Sequence, residues 1–185
     1  QNNSKDKATG YQGLYYHFLD MKTGLRTWNC ELSTIDTGLL MGGVLFCAGY
    51  FSEDNQREKR IRELADILYK RVNWKWITNK KGGIWLGWDP EKGFDPMDWK
   101  GYNEAMILYI LALGSPTNSI NKESWDYWCS SYVWAKYYGQ EFISFAPLFG
   151  HQYSHMFIDF KGIQDEFMKR KGIDYFENSR RATYA

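Results

Sequence analysis

No apolar run in this 185-residue chain is long enough to cross a bilayer. The longest, Gly38 to Phe51, is free of charge but falls short of a span. A net charge is nearly lacking as well. With 23 Lys and Arg against 22 Asp and Glu the balance is +1, which leaves no electrostatic reason to expect nucleic acid or an anionic surface as partner. Cysteine is scarce and odd in number: Cys30, Cys47 and Cys129 show no C-x-x-C spacing, so neither a disulfide framework nor a thiolate zinc site is signalled. No glycine-rich phosphate loop and no G-x-S-x-G elbow occurs, which weakens nucleotide-binding and serine-hydrolase readings. There is no signal segment either. The chain begins at Gln1, and the expectation is that something upstream was removed or excluded.

Aromatic residues are abundant: nine Trp, fourteen Tyr and eleven Phe make up 18% of the chain. Tyr and Trp present an apolar face and a polar tip, which suits the C–H face and polar edges of a sugar ring. The same side chains also fill helical cores, and that accounts for most of them.

Hydrophobic patterning sets the fold expectation. Residues 35–51 and 105–113 are apolar on every side, which predicts helices buried all round. Residues 54–72 carry apolar residues on one stripe only (Ile61, Leu64, Ala65, Leu68, Tyr69, Val72), which predicts an outer, amphipathic helix. Inner, outer, inner is the ordering of an α/α toroid. The second inner helix is expected to run from Gly101 to Leu113, with further helices from Asn121 or Lys122 to Tyr138, from Gly150 to Phe160 (a third inner one) and from Ile173 onward. Between Trp74 and Phe94, WKWITN and IWLGW flank a Lys80–Gly83 turn, a hairpin or long aromatic loop. The class expected is therefore all-α, a toroid of paired helices with one short hairpin. These helices are about half of what a closed ring needs at ~12–20 residues per helix. Residues 1–10 read as a polar leader and 11–185 as the domain, incomplete at its C-terminal end, so a second fragment of the same polypeptide is expected to complete it.

Short acidic motifs stand at the starts of both inner helices. CELSTID holds Glu31 and Asp36, and GYNEA holds Glu104. Carboxylates there would converge on the mouth of a toroid. Glycoside hydrolysis needs such groups: an acid to protonate the leaving oxygen, and a carboxylate as base or nucleophile. Glu104, followed by AMILYILAL, has the more apolar surroundings and is the choice for the acid. Each residue also has a structural reading. Ser33-Thr34-Ile35-Asp36 fits a capping box, Glu104 is a first-turn acid, and Glu31 is an acid open to backbone N–H groups. His151 and His155, with Asp159 one turn on, would share a helix face. The H-x-x-x-H spacing lacks the glutamate of the metalloprotease signature, so the stripe is read as hydrogen bonding to sugar hydroxyls or as core histidines, without a metal.

Five segments in order are YYHFLDMKTG, WNCELSTIDTGLLMGG, GYNEAMILYILALGSPT, PLFGHQYSHMFIDFKGIQD and IDYFENSRRAT. Together they resemble the bacterial glycoamylase-like family, including the endo-β-1,2-glucanases of glycoside hydrolase family 144. The resemblance runs from about Gly13 to the C-terminus. It implies an (α/α)6 barrel, of which this chain covers about half. It also implies inverting endo-hydrolysis of β-1,2-glucan without a cofactor, and a periplasmic or cell-surface location in a Gram-negative bacterium. The acidic pocket residues map onto Glu31, Asp36 and Glu104. Expected sugar contacts are Trp28, Trp88, Trp99, Tyr102, His151, Gln152, His155, Asp159, Asn178 and Arg180. Two rivals remain: a lyase or epimerase on the same toroid, with His151 or His155 as base, and a non-catalytic glycan-binding module.

Overall fold

The computed structural model describes residues 8–185. The expected leader therefore falls largely outside the description. Its last residues do not behave as a linker, because Ala8 is buried and Gly10 opens the first strand.

Strands β1 (Gly10–Tyr11) and β2 (Leu14–Tyr16) form a tight hairpin. Its two loop residues, Gln12 and Gly13, both have positive φ, the conformation that matches the twist of paired strands. Glycine is required at the second position: a Cβ on Gly13 would lie 2.2 Å from the Arg71 carbonyl oxygen. Next come β3 (Leu32–Ser33), α1 (Thr34–Tyr50) and α2 (Gln56–Lys70). A run of short strands follows: β4 (Ile84–Trp85), β5 (Gly87–Asp89), β6 (Gly93–Phe94) and β7 (Asp98–Trp99). The second half holds α3 (Met106–Leu113), α4 (Glu123–Cys129), β8 (Trp134–Tyr137), β9 (Gln140–Ile143), α5 (Phe149–Gln152), α6 (Glu166–Lys171) and α7 (Tyr175–Tyr184). The order β1-β2-β3-β5-β6 makes one antiparallel sheet, while β4 pairs with β7 and β8 with β9. The all-α expectation is thus corrected to a helical chain carrying small sheets. Segments rich in Trp and Tyr between turn residues pair as strands wherever a partner strand is near.

Helix α1 begins where the capping signal put it: Ser33 Oγ accepts from the Asp36 N–H at 3.2 Å. Helix α2 is capped by Asn55, one residue beyond Asp54. Asn55 Oδ1 accepts from the Glu58 N–H, and the Glu58 carboxylate accepts in return from the Glu53 N–H. Helix α3 starts later than expected, because residues 101–105 form turns entered through Gly101 at φ +81°. It is buried almost throughout, at Met106, Ile107, Leu108, Tyr109, Leu111 and Ala112. Each such apolar side chain stabilises the fold by about 1.5–3 kcal/mol. Gly38 on α1 lets Leu108 approach, since a Cβ there would sit 3.1 Å from its Cδ1.

Helix α1 departs from the all-round burial expected. Thr34, Thr37, Gly38, Met41 and Gly42 are covered, but Leu40, Phe46 and Tyr50 are 46%, 58% and 72% exposed. Among the described residues no element covers that side.

Two further helices are corrected. The helix expected over 121–138 ends at Cys129 and gives way to the β8–β9 hairpin. Tyr138 and Gly139, both at positive φ, supply a two-residue turn, and Val133, Trp134 and Tyr137 favour strands. The third inner helix over 150–160 is only α5 followed by a 3-10 turn at Tyr153–Met156. The Ser154 hydroxyl there accepts from the Ile107 N–H at 3.0 Å, docking the tightened turn on the first turn of α3. Helix α6, capped by Asp165 and ended by Gly172 at φ +69°, had not been expected. Helix α7 matches its expectation, with Asp174 as its cap.

Candidate active site

The β2–β3 pairing builds the first part of the site. Tyr15 stands opposite Ser33 and Tyr16 opposite Leu32, so the next pair outward is His17 and Glu31. The His17 N–H donates to the Glu31 carbonyl at 3.0 Å. The side chains meet too: His17 Nδ1 lies 2.6 Å from Glu31 Oε1, and its Nε2 lies 3.5 Å from Asp36 Oδ2. Ser33 Oγ donates to the same Asp36 oxygen at 2.5 Å. Gly87, opposite Ser33, leaves room for Glu31, because a Cβ there would lie 2.9 Å from Glu31 Cγ. The three side chains are half-open to solvent, at 37%, 41% and 48% exposure for His17, Glu31 and Asp36.

An aromatic shelf adjoins them. Phe18 stacks on His17 with centroids 4.1 Å apart, and Trp28 leans on Phe18 at 5.2 Å. Trp28 is 80% exposed and holds φ +55°, and Asn29 beside it holds φ +51°. Such strained residues persist only where their surroundings over-determine them. Here the Arg26 guanidinium donates to the carbonyls of Cys30 (2.7 Å) and Asn29 (3.0 Å) and pairs with Glu91 (2.7 Å) and Asp89 (3.3 Å). Burial and the Glu91 hydrogen bond act on that guanidinium in opposite directions. The hydrogen bond is the larger effect and raises its pKa.

Glu104 comes from another segment, two residues before α3. Its Oε2 is buried and has no hydrogen-bond partner among the described residues, so it is an unmatched acceptor there. Among the described residues no hydrogen bond or ion pair joins Glu104 to Glu31 or Asp36, so the structure brings together two of the three expected carboxylates, through His17.

Of the four expected aromatic platforms Trp28 is the most exposed, Trp88 and Trp99 are partly buried, and Tyr102 is buried. Trp88 is packed between Tyr11 and Trp76, with centroids 5.4 and 5.3 Å away. Trp99 anchors β7 to α1 through its indole N–H, which donates to Thr34 Oγ1 at 3.1 Å. Tyr102 is 4% exposed and stacks on Tyr175. Tyr102 is thus a core residue, while Trp88 and Trp99 are partly buried and packed against the core.

The histidine stripe divides in the same way. His151 is buried, with Nε2 3.0 Å from the Phe145 carbonyl and Nδ1 without a partner among the described residues. Asn178 is fully buried and accepts from the Ile143 N–H at 2.8 Å. Gln152, His155, Asp159 and Arg180, by contrast, line one cleft of about 540 Å³ that Phe176 and Tyr184 also border. Burial lowers the His151 pKa, and burial plus the nearby His151 push His155 down to about 4. Arg180 is fixed by two hydrogen bonds to Glu177, at 2.7 and 2.8 Å, and these hold the Glu177 carboxyl near about 2. Sequence reasoning missed His17 and Phe18. The signal that would have found them is the strand register, since the residue opposite Glu31 is the one able to touch it.

The Glycoamylase family model, described as "Putative glucoamylase", matches residues 96–185. That stretch is similar to the family. Over 210 aligned residues it is 28% identical to an exo β-1,2-glucooligosaccharide sophorohydrolase (non-reducing end) of Parabacteroides distasonis, across 95% of this chain and 28% of that protein. An endo-β-1,2-glucanase from Chitinophaga pinensis, solved with sophorotriose and glucose, superposes with a TM-score of 0.84 at 28% identity, over 95% of this chain and 45% of that one. A β-1,2-glucanase from Parabacteroides distasonis gives a TM-score of 0.79 at 25% identity, over 95% and 29%. The chain thus spans less than half the length of each of these relatives.

Proposed function

We propose that this chain carries the acidic part of a glycoside hydrolase site acting on β-1,2-glucan, cleaving it internally with inversion. The observation that carries the reading is the Glu31–His17–Asp36 group beside the exposed Trp28. An inverting enzyme uses one carboxylate to activate water and a second carboxyl to protonate the departing oxygen. In this reading Glu31 or Asp36 takes the proton of the attacking water. Glu104, with one oxygen unpartnered among the described residues, gives the leaving oxygen its proton. Trp28 offers its face to a sugar ring, and Gln152, His155, Asp159 and Arg180 supply polar contacts from their cleft. The likeness to β-1,2-glucan hydrolases supports the substrate class. We further propose that the helices form about half of an (α/α)6 ring completed by a second fragment of the same polypeptide, working in the periplasm or at the cell surface.

A second reading has one observation behind it. His155 Nε2 is buried without a partner among the described residues, and His155 lines a cleft, the setting of a neutral base for a lyase or epimerase. Both are tested by incubating the chain with linear β-1,2-, β-1,3-, β-1,4- and α-1,4-glucans and separating the products. Saturated oligosaccharides from β-1,2-glucan alone support the hydrolase. Products absorbing in the ultraviolet indicate a lyase, and cleavage of α-1,4-glucan instead overturns the linkage.

A further inference from the structure

We infer that His17 is a positioning residue: its imidazole holds Glu31 and Asp36 in a fixed relation and ties both to the Trp28 shelf. The inference rests on the hydrolase reading for its catalytic consequence and on geometry for the brace itself.

Packing does not explain the ring, because the side chain is 37% exposed. Nor is it needed to align the strands, since the backbone already joins them through the His17 N–H and the Glu31 carbonyl. What the ring adds is contact with both acids. Two carboxylates set near each other repel, and each long side chain otherwise samples several rotamers. A ring nitrogen 2.6 Å from Glu31 Oε1 selects one of them and leaves Oε2 free for water or a sugar hydroxyl. The other nitrogen, 3.5 Å from Asp36 Oδ2, faces the oxygen that Ser33 already holds. Phe18 fixes the ring plane, stacked within 12° of parallel, and itself touches Trp28. A sugar seated on Trp28 therefore meets carboxylates whose directions are set through the same three rings. Groups held in this way gain rate through orientation, and a misplacement of about 1 Å costs up to ~100-fold.

Two variants of the full chain test this. His17→Phe keeps the stacked ring and removes both nitrogens. His17→Gln returns one donor within reach of Glu31. The expected result on β-1,2-glucan is a kcat roughly 10- to 100-fold lower for His17→Phe with KM little changed, and partial recovery in His17→Gln. Histidine side-chain 15N spectra provide a reading that needs no substrate: the His17 resonances shift in Glu31→Gln and in Asp36→Asn. A His17→Phe chain with native kcat, a change confined to KM, or 15N resonances indifferent to both carboxylate variants each overturn the inference. If the native chain cleaves no glucan the hydrolase reading fails, and the nitrogen spectra alone then decide the brace.

Discussion

His17 and Glu31 face each other across the open end of the β2–β3 pair, joined once through the backbone at 3.0 Å and once through the side chains at 2.6 Å. The doubled link makes the strand register a determinant of the site. A slip of one residue would turn the side chains of the slipped strand to the opposite face of the sheet and part His17 from Glu31.

The carboxylates divide by role, and substitution separates them. Glu104→Gln removes the only proton that residue can give while keeping its shape. It is expected to lower turnover of β-1,2-glucan by about 100- to 10,000-fold, the range for a general acid. Binding of a sophoro-oligosaccharide, read by calorimetry, stays close to native. Asp36→Asn keeps the helix cap through Ser33, so lost turnover without a lower unfolding midpoint assigns Asp36 to chemistry. Native turnover in Glu104→Gln removes it from the mechanism.

Trp28 opposes stability to function. Its backbone occupies the left-handed region at φ +55°, which costs an L-residue about 1–2 kcal/mol and glycine little. Trp28→Gly and Trp28→Ala remove the same ring, so the difference between them reports the strain. Trp28→Gly is expected to be the more stable by about 1 kcal/mol in urea unfolding. Both variants are expected to bind oligosaccharide more weakly, by about 1–2 kcal/mol for loss of a stacked aromatic platform. Unchanged affinity in both removes Trp28 from the sugar contacts.

Helical segments, caps and the acidic motifs were legible in the sequence because they rest on local chemistry. Ser33, Asp36 and the apolar run of α3 carry their own signals over a few residues. The small sheets were not legible, because strands of two to four residues have too little pattern to register and are defined by their partners. That is why the strand contacts of Trp88 and Trp99 and the burial of Tyr102 had no signal in the sequence. The break after Gln152 comes from Ser154 binding the start of α3, a tertiary contact with no local signature. His17 was visible only as a letter in a motif until the register placed it opposite Glu31.

Helix α1 offers a paired test of its two sides. Met41 is fully buried, and Met41→Ala is expected to cost about 2–5 kcal/mol. Phe46, 58% exposed on the other side, is expected to change stability by no more than about 0.5 kcal/mol when replaced by Ser. The same replacement lowers binding of a hydrophobic dye, because it shrinks an apolar patch shared with Leu40 and Tyr50. A large loss from Phe46→Ser would mean that this side is covered in solution.

The cleft histidine makes stability depend on pH, with a sign that follows from its burial. His155 has a pKa of about 4 in the fold against 6.5 as a free side chain, so the unfolded chain binds its proton first as pH falls. The contribution is fully present above about pH 6.5 and is lost progressively toward pH 4. The ring is only partly buried and water screens its charge, so a loss of about 1–2 kcal/mol is expected rather than the full value of the shift. His151 acts in the same direction through its own burial, while Glu177, held near about 2 by Arg180, is lost only at lower pH. Urea midpoints of the native chain and of His155→Gln, measured between pH 7 and pH 4, isolate the effect. The native midpoint drops more steeply across that window, and the gap between the two curves closes as the acid limit is approached. Parallel curves would show that His155 takes its proton in the folded chain as readily as in the unfolded one, and that the cleft is more open to water than its unpartnered Nε2 implies.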